Sequence, residues 1–511
     1  MTQTIAIIAL LIFTALMVTV GIMSYKKTQT MQGFLLGGRN VGAWMSAFAY
    51  GTSYFSAVLF IGYAGKTGWT IGVGGIWIGI GNALLGSLLA WWILARRTRV
   101  MTHTLKASTM PEFFGSRYQT KNMKIFSALI IFVFLMPYAA SVYMGLGYLF
   151  NAIFPGVPVE FCMLIIAALS AFYLVLGGYV ATMITDFIQG IIMIVGIIVL
   201  VCCITFNPAV GGVGDGLQKI SMIVENGKNI GRDLVSVFGG GNWLNLVSLV
   251  LLTSFGTWGL PQMIHKFYAI RDEQSIKKAT VISTVFAAII GIGAYFVGTF
   301  GRLFLNNTLP KEGFDKIIPD MLVAALSNGV FVNIVLAVIL LLVLSASMST
   351  LSAIVLSSSS AIAVDLVGEV APNMDKKKQM LLMRGLCFLF VLLSFIFAVG
   401  KLSFIIALMA FSWGAVSGCF IGPYIWGLYS KKTTRAGAWA GMIAGLGTLL
   451  CLVVGTTLMS GFQMASANSP LFGVIAMIVS CIAVPLVSAF TKPLDKIQVE
   501  NAFEGILVSK R

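Results

Sequence analysis

Ser345, Ser349 and Ser352 recur at four- and three-residue steps in the run LLVLSASMSTLSAIVLSSSSAIAVD, Leu341 to Asp365, which is otherwise as apolar as a bilayer-spanning helix. On a helix such steps set hydroxyls in a column along one face, and Thr350 adds another beside it. Hydrocarbon has no partner for them. Each can bond the carbonyl one turn back, pair with a neighbouring helix, or face a wet cavity or a dehydrated cation. A single serine is commonly the first case, whereas a column favours the last. A second anomaly is Gly51-Thr52-Ser53, inside another apolar stretch. An interrupted turn frees carbonyls, and a hard monovalent cation takes several neutral oxygens. The two stretches are expected to face each other around a sodium ion.

The elements that must position these residues follow from composition. The chain has 511 residues, 58% of them hydrophobic and 10% charged, too little polar surface to cover a soluble globule. It reads as an all-α polytopic membrane protein. Windows of about 20 apolar residues predict thirteen spans, near 4–24, 42–64, 70–95, 124–152, 158–180, 185–206, 238–263, 279–304, 329–360, 382–400, 402–429, 435–458 and 470–490. The net charge of +16 comes from short basic clusters between apolar runs and not from one long basic block, so nucleic acid is not implied. Alternate connections hold Lys26, Lys27 and Arg39, then Arg96 to Lys124, Lys266 to Lys278, Lys376 to Arg384, Lys431 to Arg435 and the tail from Lys492. About 25 of the 33 Lys and Arg fall on that side, which the positive-inside rule makes cytoplasmic. The N-terminus is then outside and the C-terminus inside. The run Ile5 to Met23 has no basic leader or small-residue cleavage site and is expected to stay as a first helix. Seven cysteines without CxxC spacing, all in apolar segments, read as small hydrophobes.

Two spans are interrupted by small flexible residues: the second at Ala49-Tyr50-Gly51-Thr52-Ser53, the seventh at Ser254-Phe255-Gly256-Thr257-Trp258-Gly259 ahead of Pro261. Being five spans apart, they cross in opposite directions, and each opens a five-helix unit (spans 2–6 and 7–11). Paired interruptions at corresponding positions of inverted halves point to a transporter's midplane site. The serine-column helix is the third member of the second half. The chain is expected to form one transport domain: an accessory helix at 4–24, repeats at 42–206 and 238–429, two further helices at 435–490 and a cytoplasmic tail at 491–511.

The runs FLLGGRNVGAWMSAFAYGTSYFSAVLFIGYAG, PEFFGSRY, LGGYVATMITDFIQG, GLPQMIHKF and SASMSTLSAIVLSSSSAIAVDL, between residues 34 and 366, resemble the sodium:solute symporter family, a likeness that extends over nearly the whole chain. The resemblance implies thirteen helices, the leucine-transporter fold with its inverted five-helix repeats, and inward transport of an organic solute driven by sodium. Carried over by position, the main sodium site falls on the carbonyls of Thr52, Phe55 and Ala346 and the hydroxyls of Ser349 and Thr350. In some relatives an acid joins serines to hold a second sodium. Asp186 and Ser352 match that pattern, with Ala353 where another hydroxyl can stand.

The solute is expected between the two broken helices and the third span. Candidates are Tyr54 and Ser56 from the first broken helix, Trp77 and Asn82 from the third span, and Tyr138 from the fourth. Thr257, Trp258 and Gln262 come from the second broken helix and Trp413 from the eleventh span. Members of the family that carry proline have an acid where Tyr54 stands and aromatic residues where Thr253 and Thr257 stand, so the ion site matches and the solute site has been rebuilt. No Arg or Lys lies at mid-membrane in the third or fourth span, which argues against a strongly anionic cargo. An amino acid, a monocarboxylate or a sugar-like solute fits. Proton-coupled or uncoupled movement would call for intramembrane carboxylates or histidines, and His103 and His265 fall at span ends. An enzyme would need HExxH, GxSxG or a His/Cys grouping at membrane depth, and none is present. A sensor on a transporter scaffold would be expected to carry a substantial signalling domain after the last span.

Overall fold

The computed structural model describes residues 2–25, 30–326, 330–400 and 405–508. Lys26 and Lys27, the first residues of the expected ninth and eleventh spans (329 and 402–404) and the last three of the tail lie outside them. The described chain is helical almost throughout, with one small ribbon pairing Val224–Glu225 and Lys228–Asn229. In hydrocarbon each segment must satisfy its own backbone polar groups, and helices do so. Among the described residues, ten helices are long and apolar enough to cross a membrane, or up to twelve if each of two bent pairs is one span. The thirteenth expected position is taken by Val159–Phe172, a shorter apolar helix.

No loop separates the expected fifth and sixth spans. The helix Val159–Thr205 is broken only at Gly178, with φ 49° and ψ −150°. That conformation suits glycine alone, and a Cβ there would lie 2.6 Å from the Phe34 ring. The break therefore falls at 178 and not at the expected connection after 180.

Both interrupted spans are bent. Ala43–Tyr54 meets Val58–Thr70 at 46°, and Gly240–Trp258 meets Pro261–Ala269 at 43°. Pro261, which has no N–H to leave unsatisfied, opens the second limb of the later pair. In the earlier pair the expected position is corrected: the helix continues through Gly51-Thr52-Ser53 and parts at Phe55, which is extended at φ −110° and ψ 121°. Gly51 serves packing instead, since a Cβ would sit 2.4 Å from the Phe286 ring. A backbone bridge ties the two broken spans together. Val41 N–H donates to the Ala269 carbonyl at 3.2 Å and Arg271 N–H to the Val41 carbonyl at 3.0 Å.

The serine-bearing helix and Ile405–Tyr429 lie at the centre, with 83% and 94% of their most apolar windows buried, whereas Arg435–Ser460 at 17% and Thr4–Ser24 at 28% face outward. A helix that is apolar all round belongs inside.

Outside the spans, Asp315 is 5% exposed and accepts the Ile405 N–H at 3.1 Å, with Lys66 nearby. Burial raises its pKa from 3.8 to about 6 despite both neighbours. For an acid shifted upward, the stabilising contribution is full below the ordinary value and is lost as pH rises through about 6. Thermal stability of the purified protein is therefore expected to fall between about pH 4 and pH 6.5, and Asp315→Asn to flatten that segment. An identical slope in the variant would contradict this.

Candidate functional site

The break at Phe55 determines where free oxygens occur. In a continuous helix the Ala57 N–H would bond the Ser53 carbonyl and the Leu59 N–H the Phe55 carbonyl. Here Ala57 N–H donates to the Ser347 hydroxyl at 3.0 Å, and Leu59 N–H to the Ser56 carbonyl at 3.0 Å. The Ser53 and Phe55 carbonyls are left to face the serine-bearing helix. There, the Thr350 hydroxyl donates to the Ala346 carbonyl one turn back at 3.0 Å. The same oxygen lies 3.3 Å from the Thr52 carbonyl, 3.3 Å from that of Ser53 and 3.5 Å from that of Phe55. Beside it the Ser349 hydroxyl donates to the Thr52 hydroxyl at 2.7 Å, which donates to the Phe48 carbonyl at 2.8 Å.

Thr350 thus offers one proton among four carbonyl oxygens, all from buried residues. Lone pairs outnumber donors, and a cation is what such a set of neutral oxygens accommodates. The five residues expected from sequence come together: Thr52, Phe55, Ala346, Ser349 and Thr350. Ser53 and Ser347 were missed. Backbone carbonyls leave no signature in residue type, and Ser347 lies one residue off the column.

The residues expected for a second ion are differently engaged. Ser352 donates to the Met348 carbonyl at 2.6 Å, the helix-internal alternative. Asp186 lies 3.8 Å from Lys266 Nζ, and the two side chains are 1% and 2% exposed. The assignment of Lys266 to a basic connection is corrected: it is buried within Pro261–Ala269.

Most of the expected solute residues gather between the broken spans. The Tyr54 ring stacks on Phe55 at 4.6 Å and lies 6.3 Å from Trp413, which meets Tyr138 edge-on at 5.6 Å. Ser56 is buried at the break, where it accepts the Val58 N–H at 3.2 Å. Tyr54 donates to the Thr253 carbonyl at 2.7 Å, tying one broken helix to the other. Asn82 accepts from Thr253 at 2.8 Å, the Thr257 hydroxyl lies 3.3 Å from the Gly86 carbonyl, and Trp258 donates to the Leu85 carbonyl at 3.1 Å. These hold the third span to the second broken helix. Among the described residues, the Gln262 amide and the Trp413 indole N–H are buried with no hydrogen-bond partner, and such groups call for a water, an ion or a ligand. Trp77 does not join: it is 38% exposed and stacks on Phe238.

The model of the sodium:solute symporter family matches residues 34–445. The chain belongs to the sodium:solute symporter family. This symporter is 30% identical over 440 residues to the high-affinity proline transporter PutP of Bacillus subtilis, covering 85% of this chain and 89% of that one. It is 29% identical over 446 residues to a sodium/proline symporter of Staphylococcus aureus, covering 86% and 84%. Among solved structures, a Na+-coupled sialic acid symporter in a substrate-bound outward-open state aligns with a TM-score of 0.77 at 18% identity, covering 96% of this chain and 99% of that one. The nucleobase-cation-symport-1 family transporter Mhp1 aligns at 0.51 and 13% identity, covering 92% and 97%. The fold is that of the leucine-transporter class. The symporter is a multi-pass membrane protein that imports a solute with sodium as the coupling ion.

Proposed function

We propose that this symporter binds one sodium among the carbonyls of Thr52, Ser53, Phe55 and Ala346 and the hydroxyls of Ser349 and Thr350, and that the ion completes a solute pocket between the broken spans. The surplus of acceptors around Thr350 carries this reading. The ion bridges the first broken helix to the serine-bearing one. Without carboxylates the pocket holds sodium loosely enough to release it inside the cell, and release lets the two helices part. The protein sits in the cell membrane with its N-terminus outside and C-terminus in the cytoplasm, residues 42–206 and 238–429 forming the inverted halves. Its work is transport without a catalytic step.

The solute is small: an amino acid, a monocarboxylate or a sugar-like molecule. Tyr54, Ser56, Tyr138, Gln262 and Trp413 offer rings, amide and hydroxyl groups to it. The proline recognised by the named relatives is one candidate, against which Tyr54, Thr253 and Thr257 argue. The membrane potential supplies roughly 2.3 kcal/mol per charge per 100 mV, and a tenfold sodium gradient adds roughly 1.4 kcal/mol. One sodium per solute then sustains accumulation of several hundredfold, on the order of those two terms combined.

A thermal-shift screen of purified protein against amino acids, monocarboxylates and sugars, in sodium and in choline, tests the reading. The cognate solute at about a hundred times its Kd stabilises by about 2.7 kcal/mol, and is expected to do so only in sodium. Equal stabilisation in choline would refute sodium-dependent assembly of the pocket.

A further inference from the structure

Asp186 and Lys266 form a buried ion pair that the ion and solute sites leave unused. Asp186 stands one turn before Gly190, where a Cβ would lie 2.3 Å from the Phe48 ring and 3.1 Å from Thr52 Cγ2. Four residues apart, the two share a helix face, and Ser349 is the hydroxyl that bears on the Asp186 carboxylate. Ser349 nonetheless directs its proton to Thr52, and neither Asp186 oxygen has a hydrogen-bond partner among the described residues. The compensating charge is the Lys266 ammonium, 3.8 Å from Oδ2 and 5.3 Å above the Tyr179 ring.

A carboxylate in such a place must be neutralised by a proton, a bound cation or a fixed one. This chain provides the fixed one from the second limb of the later broken helix. A mobile cation at Asp186 would meet a like charge within a few ångströms and be repelled. We propose that Lys266 is the resident counter-cation of Asp186 and excludes a second coupling sodium, so that it determines the ion stoichiometry of the cycle. This rests on the reading that one sodium occupies the Thr52–Thr350 pocket. It also explains why Asp186 carries unsatisfied oxygens of the kind that hold an ion while Ser352 turns back to Met348.

The test counts sodium directly. Binding of radioactive sodium to the full-length protein in nanodiscs, with choline making up the ionic strength, is expected to saturate at one ion per chain with a Hill slope of 1. Lys266→Met opens the place beside Asp186 and is expected to bind two ions with a steeper slope. Lys266→Arg and the double variant Asp186→Asn/Lys266→Met are both expected to bind one. A merely structural salt bridge would alter folding and not this count. Two ions on the wild type, or one on a folded Lys266→Met, would overturn the proposal. Should Lys266→Met fail to fold, Lys266→Gln carries the same comparison, and the wild-type count alone still decides against the proposal if it is two. A wild type that binds none beside a Lys266→Met that binds one would leave the counter-cation standing and remove the Thr52–Thr350 pocket.

Discussion

Alanine at Thr350 is expected to raise the sodium concentration for half-maximal uptake by roughly fivefold to 150-fold, from the 1–3 kcal/mol that an unsatisfied buried group costs. The Thr350 hydroxyl is within 3.5 Å of four carbonyl oxygens and, among the described residues of the serine-bearing helix, is the side-chain oxygen that reaches them together. Its loss would remove a ligand of the proposed sodium and leave those carbonyls facing one another in a buried site. Thr350→Ser keeps the oxygen and is expected to stay near wild type. Thr350→Val keeps the shape and should behave like alanine. Ser349→Ala acts in the same direction and less strongly, because Ser349 reaches the first broken helix through the Thr52 hydroxyl. Solute affinity at saturating sodium should change little in each. The measurement is initial uptake rate against sodium at fixed ionic strength. Unchanged sodium dependence in both Thr350→Ala and Ser349→Ala would remove the assignment.

Gly298→Ala is expected to be among the most damaging small substitutions, leaving little folded protein after mild heating. A Cβ at Gly298 would lie 2.0 Å from the Ala64 carbonyl oxygen, and one at Gly68 would lie 1.9 Å from that of Gly298. Both obstacles are backbone. No side-chain tip can swing away, so the helices Val58–Thr70 and Glu273–Phe304 must separate along their contact. Overpacking a core costs about 1–3 kcal/mol even where side chains can adjust, and here the loss should exceed that range against a total stability on the order of 5–15 kcal/mol. Gly368 is the control, since nothing lies within 4 Å of its added Cβ. Size-exclusion after graded heating separates the two. A Gly298→Ala protein as heat-resistant as Gly368→Ala would show that the contact yields more easily than its geometry indicates.

What was legible in the sequence was local. Hydroxyls at helical spacing and glycine or proline inside apolar runs are written in a few consecutive residues, and both led to features at the centre of the fold. What was hidden depends on partners far along the chain. Gly51 marks a notch for Phe286, so the helix parts at Phe55, a residue with no breaker character. Lys266 looked like a loop base because its partner Asp186 lies on another helix. Trp77 resembled a pocket aromatic until its face of the helix was known, and the Ser53 carbonyl belongs to a group that every residue carries.

The bridge between Val41 and Ile270 has a mechanical corollary. Paired amide rungs resist sliding, so the base of one bent rod and the foot of the other are lashed together and travel as a single pivot. Rocking of either span is then expected at the breaks near Phe55 and Leu260, and not at this bridge.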